Sequence, residues 1–153
     1  MKKYTTYIIK GNREDKVLKC ENNAESVLIK DENMLSTYKK LTEENLNFIK
    51  NMPDTCTIKL NGREYIYVSH KKDYNNGKDC IYKIFGHTHK QFIFYRDGVE
   101  YINPGSIGLP TSGKAGINFA ILTIEEDYNS IEQIFIKYDN NEAIKELEND
   151  EIS

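Results

Sequence analysis

The chain has 153 residues, 39% of them hydrophobic and 29% charged, with Lys+Arg 21 against Asp+Glu 24 and a formal net charge of −3. That length suits one domain burying roughly two thirds of its unfolded surface, and the composition is that of a globular chain, not a disordered one. Neither charge sign forms a long block, so nucleic acid and anionic membrane are not indicated as partners. No apolar run reaches the roughly 20 residues that cross a bilayer, and Met1-Lys2-Lys3 leads into Tyr4-Thr5-Thr6, not a signal-peptide core. Cys20, Cys56 and Cys80 are odd in number and form no C-x-x-C pair. They point to a cytoplasmic protein with reduced, buried or half-buried thiols, not to a disulfide framework or a zinc ribbon.

In chain order, Tyr7-Ile8-Ile9 is a short β-rich run ending at Lys10-Gly11-Asn12, which places Asn12 on a loop at a strand's C-terminal end. Residues from about Asp31 to Met52 read as helical, with Thr42 as an N-cap, Leu46, Ile49 and Met52 on one buried face, and Pro53 as the stop. The pattern then changes to period two. Cys56, Ile58 and Leu60 alternate with Thr57 and Lys59, Asn61-Gly62 supplies a hairpin turn, and Glu64 to Ser69 runs back to His70.

Lys71 to Lys78 is a polar loop, and Cys80 to Phe85 forms another β-rich run that ends at Gly86-His87. Gln91 to Tyr95 and Val99 to Ile102 flank the turn Asp97-Gly98, and Asn103-Pro104-Gly105-Ser106 has Pro and Gly where a type II turn requires them. Phe119 to Ile124 and Ile131 to Tyr138 read as two further strands, broken by Asn118 and by Asp127 to Ser130. A short polar helix from about Asn141 to Glu148 closes the chain. The fold class is therefore α/β or α+β in a single domain, largely antiparallel in its second half.

All three histidines lie in Ser69-His70 and Gly86-His87-Thr88-His89. On an extended segment His87 and His89 would point the same way, and neutral imidazole suits Zn, Mn, Fe, Co or Ni without choosing among them. Each site also has an ordinary reading. His70 at a strand end is either a hydrogen-bonded surface residue or a ligand. Asn12 in Gly-Asn is either a backbone cap or a ligand, and Asn103-Pro104-Gly105 is a turn before it is a site element.

The order of these pieces narrows the alternatives. A strand, Gly11-Asn12-Arg13-Glu14, a helix, a strand ending at His70, a strand ending at Gly86-His87-Thr88-His89, a hairpin and Asn103-Pro104-Gly105-Ser106 follow one another. Over roughly residues 5 to 125 this resembles the second half of the calcineurin-like metallophosphoesterases, particularly their small bacterial phosphodiesterase-like branch. The resemblance implies an αββα sandwich with two divalent metal ions, Mn²⁺ foremost among Mn, Fe, Zn, Ni and Co, and a phosphate ester as substrate. It implies Asn12, His70 and His87 on one metal, His89 on the other, and catalytic roles for Asn12 and Arg13.

Three departures from the family pattern stand out. The Asp-x-His and Gly-Asp-x-x-Asp motifs that would bring bridging carboxylates have no room in the ten residues before Gly11. Arg13 stands where many members carry His; it is a poor acid but can clamp phosphate oxygens, or it can pair with Glu14. Lys71 follows the ligand His where Gly is usual.

Three readings follow: an N-terminally truncated enzyme, an inactive metal-binding or interaction module, and a homo-oligomer or a subunit completed by another chain. The expectation for the chain by itself is self-association and negligible turnover. The coding DNA just upstream of Met1 distinguishes the first reading from the others.

Overall fold

The structure is a computed structural model that describes residues 7–22, 32–60, 63–111, 115–142 and 144–145. The chain divides into two compact units, Met1–Lys83 and Ile84–Ser153.

The first unit contains α1 (Asn12–Asn22), α2 (Glu32–Lys40), α3 (Glu43–Asn51), β1 (Thr55–Leu60), β2 (Arg63–Ser69) and the start of β3 (Tyr82–Phe85). Tyr7 to Ile9 form no strand, and Asn12 is the first residue of a helix instead of part of a loop after a strand. The cause is local capping. Gly11 donates its backbone N–H to Glu14 Oε2 at 2.8 Å, and its carbonyl accepts the first helical bond from Asp15 N–H at 3.3 Å. A carboxylate three residues into the helix reaching back to the cap is half of a capping box, and Glu14 and Asp15 in the first turn complement the helix dipole. The helix escaped detection in the sequence because it is rich in Lys and Glu, with few apolar positions to show a period.

The helical region expected from Asp31 to Met52 is two helices; Asp31 itself lies outside the described residues. Thr42 breaks them by adopting an extended backbone (φ −75, ψ 160) and capping α3, its side chain accepting from Asn45 N–H at 3.2 Å. Met52 ends α3 with φ −65 and ψ 132, the extended conformation that a following proline imposes. Leu46, Ile49 and Met52 are half-buried. The core of the unit is Val17, Cys20 and Met34, with Tyr38, Leu41 and Leu46 packed against it. Val17 and Cys20 are three apart and so share one face of α1.

β1 and β2 pair antiparallel from Thr55↔Ser69 to Leu60↔Arg63, with an irregularity between Ile58 and Lys59. The Asn61-Gly62 turn lies outside the described residues. β3 follows β2 in the sheet order, and Ile81 N–H donates to Tyr65 O at 3.1 Å just before it. Ile66, Tyr67 and Tyr82 are buried, as are the thiols of Cys20 and Cys80; Cys56 is half-buried, and all three cysteines are free.

In the second unit the end of β3 is followed in the sheet by β5 (Val99–Asn103) and then β4 (Phe92–Arg96). β4 and β5 pair antiparallel from Phe92↔Asn103 to Arg96↔Val99. Asp97 (φ 52) and Gly98 (φ 81) form their turn, positive at both central positions as a twisted hairpin prefers. Phe94 stacks on Tyr101 with centroids 4.7 Å apart, and Phe85 meets Phe92 edge-on at 5.5 Å.

β6 (Gly116–Ile124) and β7 (Asn129–Lys137) form a separate antiparallel pair, in register from Gly116↔Lys137 to Ile124↔Asn129. Asn118, expected as a break, lies inside β6 and is buried, because its N–H is taken by Ser106 O at 3.0 Å. Asn129 and Ser130 likewise belong to β7. Of the C-terminal helix expected from Asn141 to Glu148, Ile144 N–H donates to Asn140 O at 3.0 Å; residues beyond 145 lie outside the description. The α/β class and the antiparallel pairing expected for the second half both hold. Among the described residues no helix is long and apolar enough to cross a membrane.

Candidate functional site

In the first unit α1 and the end of β2 bring Asn12 and His70 together. His70 Nε2 lies 2.8 Å from Asn12 Oδ1. The amide oxygen accepts and Nε2 donates in the metal-free pair; for both atoms to face one ion the imidazole would carry its proton on Nδ1 instead. Gly11 makes this approach feasible. A Cβ there would meet Glu14 Oε2 at 2.9 Å and His70 Cε1 at 3.1 Å, tighter than ordinary packing allows.

The two residues line a cleft of about 390 Å³ with Lys10, Asp54, Lys71 and Asp73 among its walls. Lys10 Nζ is held by Asp54 at 3.1 Å and by Asp15 at 3.8 Å. The buried Ser69 donates its hydroxyl to Lys71 O at 2.7 Å, which fixes the backbone just past His70.

Asp73 shapes the loop that follows. Its Oδ1 accepts from the N–H groups of Asn75 (2.8 Å) and Asn76 (3.1 Å), and its Oδ2 from Asn76 Nδ2 (2.8 Å) and Tyr67 OH (3.2 Å). These bonds, led by the Asn76 side chain, lower the Asp73 carboxyl to about 2. Burial, with Asp73 nearby, raises the Tyr67 phenol. Gly77 (φ 63) lies against Tyr67, whose Cβ would be 2.6 Å from a Cβ placed there, so the loop closes only over glycine.

Arg13 is exposed in the first turn of α1, with Nη1 3.9 Å from Met34 Sδ. Its neighbour Glu14 accepts the Gly11 N–H.

In the second unit Gly86 to His89 is a tight turn, not the extended segment expected. His87 (φ 60) and His89 (φ 57) both occupy the left-handed region, which costs a non-glycine residue of order 1 kcal/mol or more and persists only where surroundings enforce it. Thr88 N–H donates to Gly86 O at 2.7 Å across His87, a three-residue turn that is rare with a positive central φ.

Asn103 at the end of β5, fully buried at 0% exposure, bonds to this turn. Its Nδ2 donates to Gly86 O at 2.7 Å and to Thr88 Oγ1 at 2.9 Å, while its Oδ1 accepts from Gly105 N–H at 2.9 Å. His89 Nδ1 donates to Leu109 O at 2.9 Å, which leaves Nε2 as the lone-pair nitrogen.

Asn12 and His70 are thus gathered in one cleft, and His87 and His89 share one strained turn. Sequence reasoning missed the loop-shaping parts played by Ser69, Asp73 and Asn103. The available signal for Asn103 was its place after a buried apolar strand and before Pro-Gly, where a carboxamide has backbone groups to satisfy.

Among the described residues no three His, Cys, Asp or Glu side chains gather as a metal-holding group. The neutral donors fit a divalent cation in part. Two ligands about 2.1 Å from one ion at right angles lie about 3 Å apart, close to the 2.8 Å between Asn12 and His70. His89 has the carbonyl partner that a ligating imidazole usually has.

The first unit thus holds an amide–imidazole pair in a cleft, and the second holds two histidines on one turn. Residues 1–127 match the calcineurin-like phosphoesterase superfamily domain, and the chain belongs to that superfamily. In structure it is similar to a hypothetical protein of Pyrococcus horikoshii, with a TM-score of 0.78 and 15% identity over 99% of this chain and 71% of that one. It is also similar to a metallophosphoesterase from Sphaerobacter thermophilus, with a TM-score of 0.63 and 17% identity over 88% of this chain and 67% of the other. No curated protein matches the chain in sequence. Identities this low establish a shared fold.

Proposed function

We propose that the protein is a metal-dependent phosphoesterase in which Asn12, His70, His87 and His89 are metal ligands and a phosphate monoester or diester is the substrate. The observation that carries this reading is the 2.8 Å contact between Asn12 Oδ1 and His70 Nε2 inside a cleft lined by Lys10, Lys71 and Lys72 together with Asp15, Asp54 and Asp73. A bound divalent ion polarises phosphoryl oxygens and lowers the pKa of a bound water.

The chain's own residues do the rest. Asn12 contributes a carbonyl that adds no negative charge against the phosphate. His70, directly after β2, is held by its neighbour's bond from Ser69 Oγ to Lys71 O. Lys71 and Lys72 present cations to an anionic ester at the cleft wall. The proposal gives Arg13, exposed one residue from Asn12, the part of a bidentate clamp on substrate oxygens, for which its guanidinium would turn from Met34 Sδ.

A second reading draws on the neutrality of the donor set. With no three His, Cys, Asp or Glu side chains gathered to hold a metal among the described residues, the chain would be a metal-binding or interaction module, or a subunit whose carboxylates another chain supplies.

Turnover of a chromogenic phosphodiester and a phosphomonoester with added Mn²⁺, measured on the full chain and on His70→Ala, tests the proposal. Metal-dependent turnover that is lost in the variant supports it. Mn²⁺ binding without turnover on either ester supports the module, and turnover equal in the two proteins removes His70 from the site.

A further inference from the structure

We propose that Asn103 is the positioning residue of the histidine turn: its buried carboxamide holds His87 and His89 in the left-handed conformations from which they ligate metal. The inference rests on the ligand roles proposed above for those two residues.

The turn has little to stabilise it by itself. His87 and His89 are non-glycine residues with φ of 60 and 57, and the bond between Thr88 N–H and Gly86 O closes only three residues. Asn103 supplies what the turn lacks. One Nδ2 hydrogen satisfies the Gly86 carbonyl before His87, and the other fixes the Thr88 side chain between the two histidines. Both donors of the amide are spent on the turn, and Oδ1 is taken by Gly105 N–H, so the carboxamide has a single orientation that satisfies all three partners.

The residue itself cannot drift. It is fully buried, and its backbone carbonyl accepts from Gln133 Nε2 of β7 at 3.2 Å. Gln91 Nε2 in turn donates to Phe119 O (3.0 Å) and Ile134 O (3.1 Å) of the β6–β7 pair. The ligand turn is therefore fastened to the β6–β7 pair through Asn103. Besides capping its own turn through Gly105 N–H, the residue reaches back 15 and 17 residues to the histidine turn.

Two substitutions separate positioning from folding. Asn103→Asp keeps the shape and the Oδ1 acceptor but replaces the donor with an oxygen facing Gly86 O and Thr88 Oγ1. Thr88→Val, at an exposed position, removes the hydroxyl that accepts from Asn103 Nδ2 at 2.9 Å and from Lys90 N–H at 3.4 Å. Mn²⁺ affinity is measured by equilibrium dialysis of the full chain, thermal unfolding by circular dichroism, and the backbone NMR shifts of His87 and His89, which report positive φ, without metal.

The expected result is a roughly 10- to 100-fold loss of Mn²⁺ affinity in Asn103→Asp, a smaller loss in Thr88→Val, and movement of the His87 and His89 signals in both, with Thr88→Val still folded. Unchanged His87 and His89 signals in folded Thr88→Val, together with Mn²⁺ affinity within twofold of wild type, overturn the positioning role. If the wild-type chain binds no Mn²⁺ while the signals still move, the ligand assignment fails and the carboxamide's hold on the turn stands.

Discussion

His70 Nε2 and Asn12 Oδ1 meet at 2.8 Å although 58 residues separate them in the chain. Neither residue would be placed there by its own segment. Asn12 arrives on the first turn of α1, His70 on the residue after β2, and Gly11 leaves the space between them. The pair makes the first prediction direct. Asn12→Ala and His70→Ala should each weaken Mn²⁺ binding at least tenfold, with unfolding temperatures changed little because both side chains lie at the surface of the cleft. Isothermal calorimetry with Mn²⁺ reads the first effect and a thermal melt the second; unchanged calorimetric affinity would exclude both as ligands.

Asp73 makes stability depend on pH in a defined window. Its carboxyl is lowered to about 2 in the folded protein from an ordinary value of 3.8. A depressed folded value means the contribution is fully present above about pH 4 and is lost as pH falls toward 2. Asp73→Asn should therefore flatten the stability profile between pH 4 and 2 relative to wild type and lower stability at neutral pH. Urea melts across that range measure it, and parallel profiles for the two proteins would contradict the role.

Gly105 tests the packing behind the Asn103 turn. It has φ 87, and a Cβ there would stand 2.5 Å from Asn118 Cβ. Gly105→Ala combines a disfavoured conformation with overpacking against the Asn118 and Gln91 side chains, so a loss of about 2–4 kcal/mol is expected. Denaturant titration should show it, with Gly98→Ala, where a Cβ would meet nothing within 4 Å, costing about 1 kcal/mol from conformation alone.

Thr42 offers a local control. Its side chain caps α3 through Asn45 N–H in an exposed setting, and it is not among the residues lining the Asn12–His70 cleft. Thr42→Ala should cost about 1 kcal/mol of stability and leave Mn²⁺ affinity unaltered. A change in affinity would show that α3 is coupled to the metal ligands.

By itself the sequence determined the features that depend on local chemistry. The hairpin at Asp97-Gly98 follows from residues that tolerate positive φ, and the α3 cap at Thr42 from a hydroxyl one residue before the helix. A period-two pattern marked β1 and β2, the runs flanking the Asp97-Gly98 turn marked β4 and β5, and the order of Gly-Asn, His, His-x-His and Asn-Pro-Gly marked the superfamily.

Only tertiary structure decided the rest. Asn118 reads as a strand breaker by type, yet it is buried in β6 because Ser106 O takes its N–H. His87 and His89 read as an alternating pair, yet they lie in the left-handed region under the hold of Asn103. A backbone conformation that costs energy locally exists only where distant groups compensate it, and those partners, 15 to 17 residues away for the histidine turn and 58 for Asn12 and His70, have no signature in either segment.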